Sequence, residues 1–385
     1  MAVLVASGPA LAQSQRTAVG RFLTSVFDDN RPYVPTSLDV GEDGHIVIAA
    51  TVSGGPYTVS AALVARFDGT GKKLWERSPA ARADLVSTMI ARTAPHGDTM
   101  VLFDDSPTEQ PQLVLLRLAV TGKELWRRQL GPGAPSDLLV EPDGAAIVSG
   151  SARRDKGSAF DALVLRVAPD GKVAWRRQVP GEKADSGNTA DLVRGAGGGQ
   201  YIAGGLTDIA YADNSTVNAS RGLLVKLGSD GQIAWRRSFG SGNTLTMVSG
   251  LAASGADMFV VTLTESSGGG QFFELSRVAA NGTVAWTRPL AGPPDQEIND
   301  IAPAPNGGLV LAGSEPNGDS RAAVLILLDR DGIERQRVNY RGYKMRRALM
   351  ARPYPTAGFA VLFEGAGSSS DATLYLARVD ASGRF

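Results

Sequence analysis

Seven glycines at near-constant spacing, strand-length apolar runs between them and no sustained helical periodicity predict an all-β fold. The specific expectation is a seven-bladed β-propeller of four-stranded antiparallel blades. The glycines are Gly71, Gly122, Gly171, Gly231, Gly282, Gly332 and Gly383, at intervals of 51, 49, 60, 51, 50 and 51 residues. Four residues after the first five stand Trp75, Trp126, Trp175, Trp235 and Trp286; after Gly332 the same place holds Gln336.

Within one period the elements follow in order. A short apolar segment, such as SLDV, DLLV, DLVRG or DIAPA, reads as the innermost strand. A turn signal and a β-branched run come next, as in DGHIVIAAT from Asp43, DGAAIVSGS from Asp143 and NGGLVLAGS from Asn306. A third run ends in VLRV, LVKL or LILL, and an Asp-Gly or Thr-Gly turn leads into the tryptophan segment, the outermost strand. Glycine at these turns supplies the positive φ that tight hairpins demand. The tryptophans are expected to be structural wedges between blades, each burying roughly 150–250 Å². The arginines behind them, including Arg128, Arg177 and Arg237, are expected on the exposed edge, where charge discourages edge-to-edge pairing.

The last period stops at Gly383-Arg384-Phe385, before its fourth strand, whereas residues 20–27 read as an outer strand with no unit of its own. The N-terminal strand is therefore expected to complete the last blade and close the ring, making residues 13–385 a single domain. Residues 1–12 end in Ala10-Leu11-Ala12 and resemble a partial signal peptide, so the expected location is periplasmic or secreted. No later run approaches the ~18 apolar residues of a transmembrane helix. Thirty-nine basic and thirty-nine acidic residues cancel, so no global field draws the protein to nucleic acid. Cysteine is absent, which removes thiolate nucleophiles and cysteine-ligated metals. The only histidines, His45 and His96, flank short-turn glycines, and neither HExxH nor a spaced histidine pair occurs.

The segment TGKELW at residues 121–126 resembles the tryptophan repeat of quinoprotein-like (PQQ-type) β-propellers, and DGHIVIAAT with LVARFDGTG resembles the delta-60 repeat of bacterial propellers. The resemblance covers nearly the whole mature chain and implies the fold more than an activity. Some PQQ-type members are quinone-dependent dehydrogenases; others are non-catalytic assembly factors or scaffolds of the bacterial envelope. The cysteine pair that often contacts the quinone in the alcohol dehydrogenases cannot exist here, and eight units are typical of those enzymes.

In a propeller the turns between strands one and two, and three and four, share one face; the other face carries the two-to-three loops and the links between units. The first set is short here and the second irregular, which is how a scaffold presents a site. Binding residues are therefore expected on the variable-loop face: Asp104 and Asp105; Asp208, Tyr211 and Asp213; and Arg341, Tyr343, Lys344, Arg346 and Arg347 beside Tyr340. Asp84, Asp137, Asp191 and Asp300 each open an innermost strand and either ring the channel mouth or bond backbone amides there. The functional expectation is an exported, non-catalytic binding or scaffold propeller whose partner is an envelope or extracellular protein, or a glycan. No catalytic residue, metal or cofactor is expected; PQQ, from the resemblance, and calcium, from the loop oxygens, are the candidates to look for. The alternative is an enzyme with its site in the central funnel, either a quinone- or metal-dependent oxidoreductase or a carboxylate-based hydrolase.

Overall fold

The computed structural model describes residues 22–27, 33–55, 58–79, 86, 88–105, 111–153, 160–179, 191–194, 201–212, 216–240, 244–265, 270–341, 345–366 and 372–385. After β1 (Phe22–Ser25), the first unit is β2 (Tyr33–Val40), β3 (Ile46–Gly55), β4 (Thr58–Phe67) and β5 (Lys73–Arg77). The second is β6 (Met89–Thr93), β7 (Thr99–Asp105), β8 (Gln112–Leu118) and β9 (Glu124–Pro132). The third is β10 (Ala134–Val140), β11 (Ala146–Arg153), β12 (Phe160–Val167) and β13 (Val173–Val179). The fourth is β14 (Asp191–Arg194), β15 (Tyr201–Ala212), β16 (Thr216–Leu227) and β17 (Ile233–Phe239). The fifth is β18 (Leu245–Ser254), β19 (Asp257–Glu265), β20 (Gln271–Val278) and β21 (Val284–Pro289). The sixth is β22 (Glu297–Pro303), β23 (Leu309–Asn317), β24 (Ser320–Leu328) and β25 (Glu334–Asn339). Last come β26 (Met345–Pro353), β27 (Phe359–Ala366) and β28 (Ala372–Val379).

These strands form six sheets, so the expected count of seven separate blades is corrected to six. Five sheets have four strands; the sixth joins the fourth and fifth repeat units into one eight-stranded sheet. The cause lies in the longest sequence interval. The insert around residues 207–222, expected as a loop, instead lengthens β15 and β16 to 12 residues each, with Asp208 opposite Arg221 and Tyr211 opposite Val217. The overhanging β16 meets the start of β18 in a parallel pair at Ser220 and Leu245.

β1 lies antiparallel on β28, with Phe22 opposite Arg378 and Ser25 opposite Tyr375. The last sheet is thus built from both ends of the described chain.

Each sheet is buried on both faces, so its central strands read as nearly continuous apolar runs. Ile46, Ile48 and Phe67 of the first unit pack with Leu362 and Leu376 of the last. The alternate residues Val47 and Val64 pack with Val101, Phe103 and Leu116 of the second unit. Among the described residues no helix is long and apolar enough to cross a membrane.

The tryptophan segment works as a three-residue clip. Trp75, Trp175 and Trp235 donate their ring N–H to the carbonyls of Val120, Ser229 and Ala280 in the next unit's last turn, at 2.8, 2.9 and 3.0 Å. The ring lies over the glycine of that turn. A Cβ at Gly122 would stand 3.0 Å from Trp75, and one at Gly231 2.8 Å from Trp175. The following arginine reaches back: Arg127 donates to Pro79 O, Arg176 to Leu130 O, and Arg337 to Ala291 O. The second arginine reaches forward: Arg128 to Asp170 O, Arg177 to Asp230 O, Arg237 to Gly282 O, and Arg288 to Asp331 O. The expected edge charges are therefore inter-unit ties. Where tryptophan is missing, Gln336 makes the corresponding bond to Ser382 O at 2.9 Å. Phe22 takes the place at the closure, where a Cβ on Gly71 would collide with its ring.

Gly282→Ala tests the wedge. Its φ of 85° is left-handed, and its Cβ would sit 2.8 Å from Trp235 Cδ2. A loss of about 2 kcal/mol is expected, the backbone strain alone accounting for about 1–2. Chemical denaturation measures it; an unshifted midpoint would show that ring and turn do not pack.

Candidate functional site

Three places gather polar side chains: the variable-loop face, the central channel and a recess on the short-turn face. The innermost strands that connect them carry repeated β-bulges, at Pro35/Ser37, Pro135/Asp137, Val248/Gly250, Ile298/Asp300 and Ala348/Met350. A bulge re-aims the following side chain, and here that side chain often reaches the neighbouring unit. Ser37 accepts the Ala91 N–H at 2.9 Å. Asp300 accepts the Ala351 N–H at 2.9 Å and pairs with Arg352. Asp137 accepts the Leu138 N–H at 2.8 Å and pairs with Arg92.

Of the four aspartates expected at strand openings, Asp137 and Asp300 thus combine an amide contact with an arginine partner. Asp191 begins β14, and Asp84 lies outside the described residues. Asp39, which the sequence reading passed over, accepts the Thr93 N–H and hydroxyl at 2.7 and 2.6 Å. Burial pushes the Arg352 guanidinium down, but Asp300, then Asp39 and Asp137, more than offset this and hold it above its ordinary value. The described channel is therefore a compensated charge cluster. Its cations are engaged with Asp137 and Asp300, so it does not fit the several carboxylates of a pyrroloquinoline quinone. Among the described residues no group of three or more His, Asp or Glu is arranged to hold a metal ion.

On the variable-loop face, Arg341 and Arg346 are exposed, and Tyr343 and Lys344 lie outside the described residues. Arg347 is half-buried and engaged, donating to Glu297 at 3.0 Å and Glu364 at 3.3 Å. Burial raises the Glu297 carboxyl, but the Ser314 hydroxyl and then Arg347 and Arg321 hold it below the ordinary carboxylate range. Tyr340 belongs to the core: it is 1% exposed, donates to the Gly383 carbonyl and meets Phe363 edge-on. Asp104 is buried and accepts the Thr88 N–H at 3.2 Å, while Asp105 is half-buried at the end of β7. Asp208 and Tyr211 lie in β15, and Asp213 falls outside the described residues. Large apolar side chains that the sequence reading did not single out are exposed where strands meet this face: Val34, Met247 and Phe272.

The short-turn face holds a recess of about 660 Å³ between the first-turn residues of units one to three. Gly41, Glu42, Asp43, Arg66, Thr93, His96, Val120 and Glu141 line it. His96 has a left-handed φ of 66° there, and Arg66 is 1% exposed. Burial pushes the Arg66 guanidinium down, with Asp43 and Asp98 pulling it back up.

Arg66 belongs to a second repeated feature. Each tryptophan stands opposite a base on the third strand: Arg66 and Trp75, Arg117 and Trp126, Arg166 and Trp175, Lys226 and Trp235, Arg277 and Trp286. Four of these bases pair with an acid at the first turn of their own unit, namely Asp43, Asp98, Asp143 and Asp257. The signal was present in the sequence as the third residue of VARF, LLRL, VLRV and LSRV, and it fails together with tryptophan at Leu327 and Gln336.

Among solved structures, the chain resembles polysaccharide lyase Uly1 with a TM-score of 0.59, 10% identity and coverage of 96% of this chain and 95% of that one. A polysaccharide lyase described as a PL25 ulvan lyase gives 0.58 and 11%, covering 94% and 96%. The propeller domain of the trilobed protease from Pyrococcus furiosus gives 0.56 and 8%, covering 92% and 96%. At these identities the likeness is one of fold. No curated protein sequence matches the chain significantly. A family model does match, over residues 60–206 and 161–342, which together span well over half of the sequence. With its four-stranded units and repeated tryptophan clips, the chain belongs to the family described as outer membrane protein assembly factor BamB, a family of PQQ-type β-propellers.

Proposed function

We propose that this protein is a non-catalytic binding propeller of the bacterial envelope that engages a protein partner through its variable-loop face. The carrying observation is the combination on that face of exposed Val34, Met247 and Phe272 with exposed Arg341 and Arg346. Exposed apolar side chains and arginines presented on one face match the composition of a protein interface. The assembly-factor description of the family supports the reading, as do the arginine-paired aspartates of the channel, where a funnel enzyme would need free acids.

The test is crosslinking capture from the organism's own envelope fraction, with the full chain, a Met247→Asp/Phe272→Asp variant and an Arg341→Glu/Arg346→Glu variant. A specific partner should be held by the parent chain and lost, or weakened about tenfold or more, with each variant at unchanged thermal midpoint. A partner retained by both folded variants would rule out this face.

A further inference from the structure

Units one and three use the same sequence frame at their first turn, Val40-Gly41-Glu42-Asp43-Gly44 and Val140-Glu141-Pro142-Asp143-Gly144. In unit three the Arg166 guanidinium is held by two carboxylates: Glu141 accepts from Nε at 3.1 Å and Asp143 from Nη2 at 3.2 Å. In unit one Asp43 reproduces the second contact, accepting from Arg66 Nη2 at 3.2 Å. The first contact is missing, because Gly41 stands where Glu141 stands and carries no side chain. Arg66 Nε, buried, has no hydrogen-bond partner among the described residues. Elsewhere this nitrogen has one: Arg117 Nε donates to Asp98 and Arg277 Nε to Asp257. A buried donor without an acceptor costs about 1–3 kcal/mol. Here the missing carboxylate and the recess coincide, since both Gly41 and Arg66 line it.

We propose that the recess is a ligand site in which a carboxylate takes the place of the Glu141 side chain on Arg66. The rest of the lining sets the remainder of the ligand. Asp43 is paired with Arg66 and Glu141 with Arg166, which leaves the Glu42 charge in excess, so a ligand that carries an ammonium group beside its carboxylate is favoured. Glu42 is exposed and forms no ion pair among the described residues, which leaves it to receive that ammonium. The ligand class is therefore an amino-carboxylate, either a free amino acid or the carboxyl end of a short peptide. A volume of about 660 Å³ suits either. This site lies on the face opposite the variable loops and does not depend on partner binding there.

Calorimetric titration of the full chain with γ-aminobutyrate, butyrate, butylamine and the tripeptide Lys-Gly-Gly tests the assignment. γ-Aminobutyrate should bind more tightly than either butyrate or butylamine. Tighter binding of Lys-Gly-Gly would assign the natural source to a peptide end, and tighter binding of γ-aminobutyrate to a free amino acid. Gly41→Glu supplies the carboxylate internally, at the cost of a shift of Asp43, whose Oδ1 lies 2.6 Å from the new Cβ; a variant that remains folded by circular dichroism should bind γ-aminobutyrate about tenfold or more weakly. Glu42→Gln should reduce the preference for γ-aminobutyrate over butyrate by about two- to fivefold. Undiminished binding by a folded Gly41→Glu variant would overturn the proposal. So would preference for butylamine over both carboxylates, or no binding of any carboxylate probe.

Discussion

Phe22→Ala is expected to lower folding stability by about 3–5 kcal/mol, the cost of emptying a buried aromatic site. Phe22 is 2% exposed and packs with Val26, Ile46, Phe67 and Leu376, so its cavity would open between the first and last units. The same ring covers Gly71 as the tryptophans cover their glycines, so the substitution also removes the clip at the closure. Phe22→Trp should keep most of the stability, because the corresponding slots elsewhere accept tryptophan. Urea denaturation of both variants provides the check. A Phe22→Ala midpoint equal to that of the parent chain would mean that β1 does not hold the ring shut.

Arg352→Met is the second large expectation, also about 3–5 kcal/mol, because it strands Asp300 beside Asp39 and Asp137 in the channel. Arg352 is the cation that those three aspartates hold above its ordinary value. Removing the aspartate as well should return part of the loss, since an apolar pair tolerates burial better than an uncompensated charge. The double variant Arg352→Met/Asp300→Leu is therefore expected to be more stable than Arg352→Met alone. It will not match the parent chain, because the Ala351 N–H also loses its acceptor. A double-mutant cycle by thermal or chemical denaturation measures the coupling. Strict additivity would show that the two side chains act independently and that the channel cluster is not a unit.

The repeat was legible because the features that carry it are local. A glycine at positive φ, a tryptophan four residues later and an aspartate bonding amides two residues ahead all fall within one turn, as at Gly171, Trp175 and Asp170. The number of sheets was not legible, because it depends on how far β15 and β16 overhang and whether β16 touches β18. The interval of 60 residues marked the place but not the outcome. The exposed arginines were misread for a related reason: Arg128 and Arg177 act on carbonyls of the next unit, 42 and 53 residues away in sequence. Arg347 looked like part of a free basic patch because its partners, Glu297 and Glu364, come from other strands. The gap at Gly41 opposite Glu141 is present in the sequence, but the recess was hidden because its walls come from the first turns of three units.

The pairing of β1 with β28 has a consequence for how the protein is made. Phe22 and Val26 leave the ribosome long before their partners Leu374 and Leu376, with six repeat units translated in between. Those units must be translated before the contacts with the last sheet can form, and pairings of such sequence separation form slowly. Until then an apolar strand with open backbone groups accompanies every nascent molecule, free to pair with a neighbouring chain.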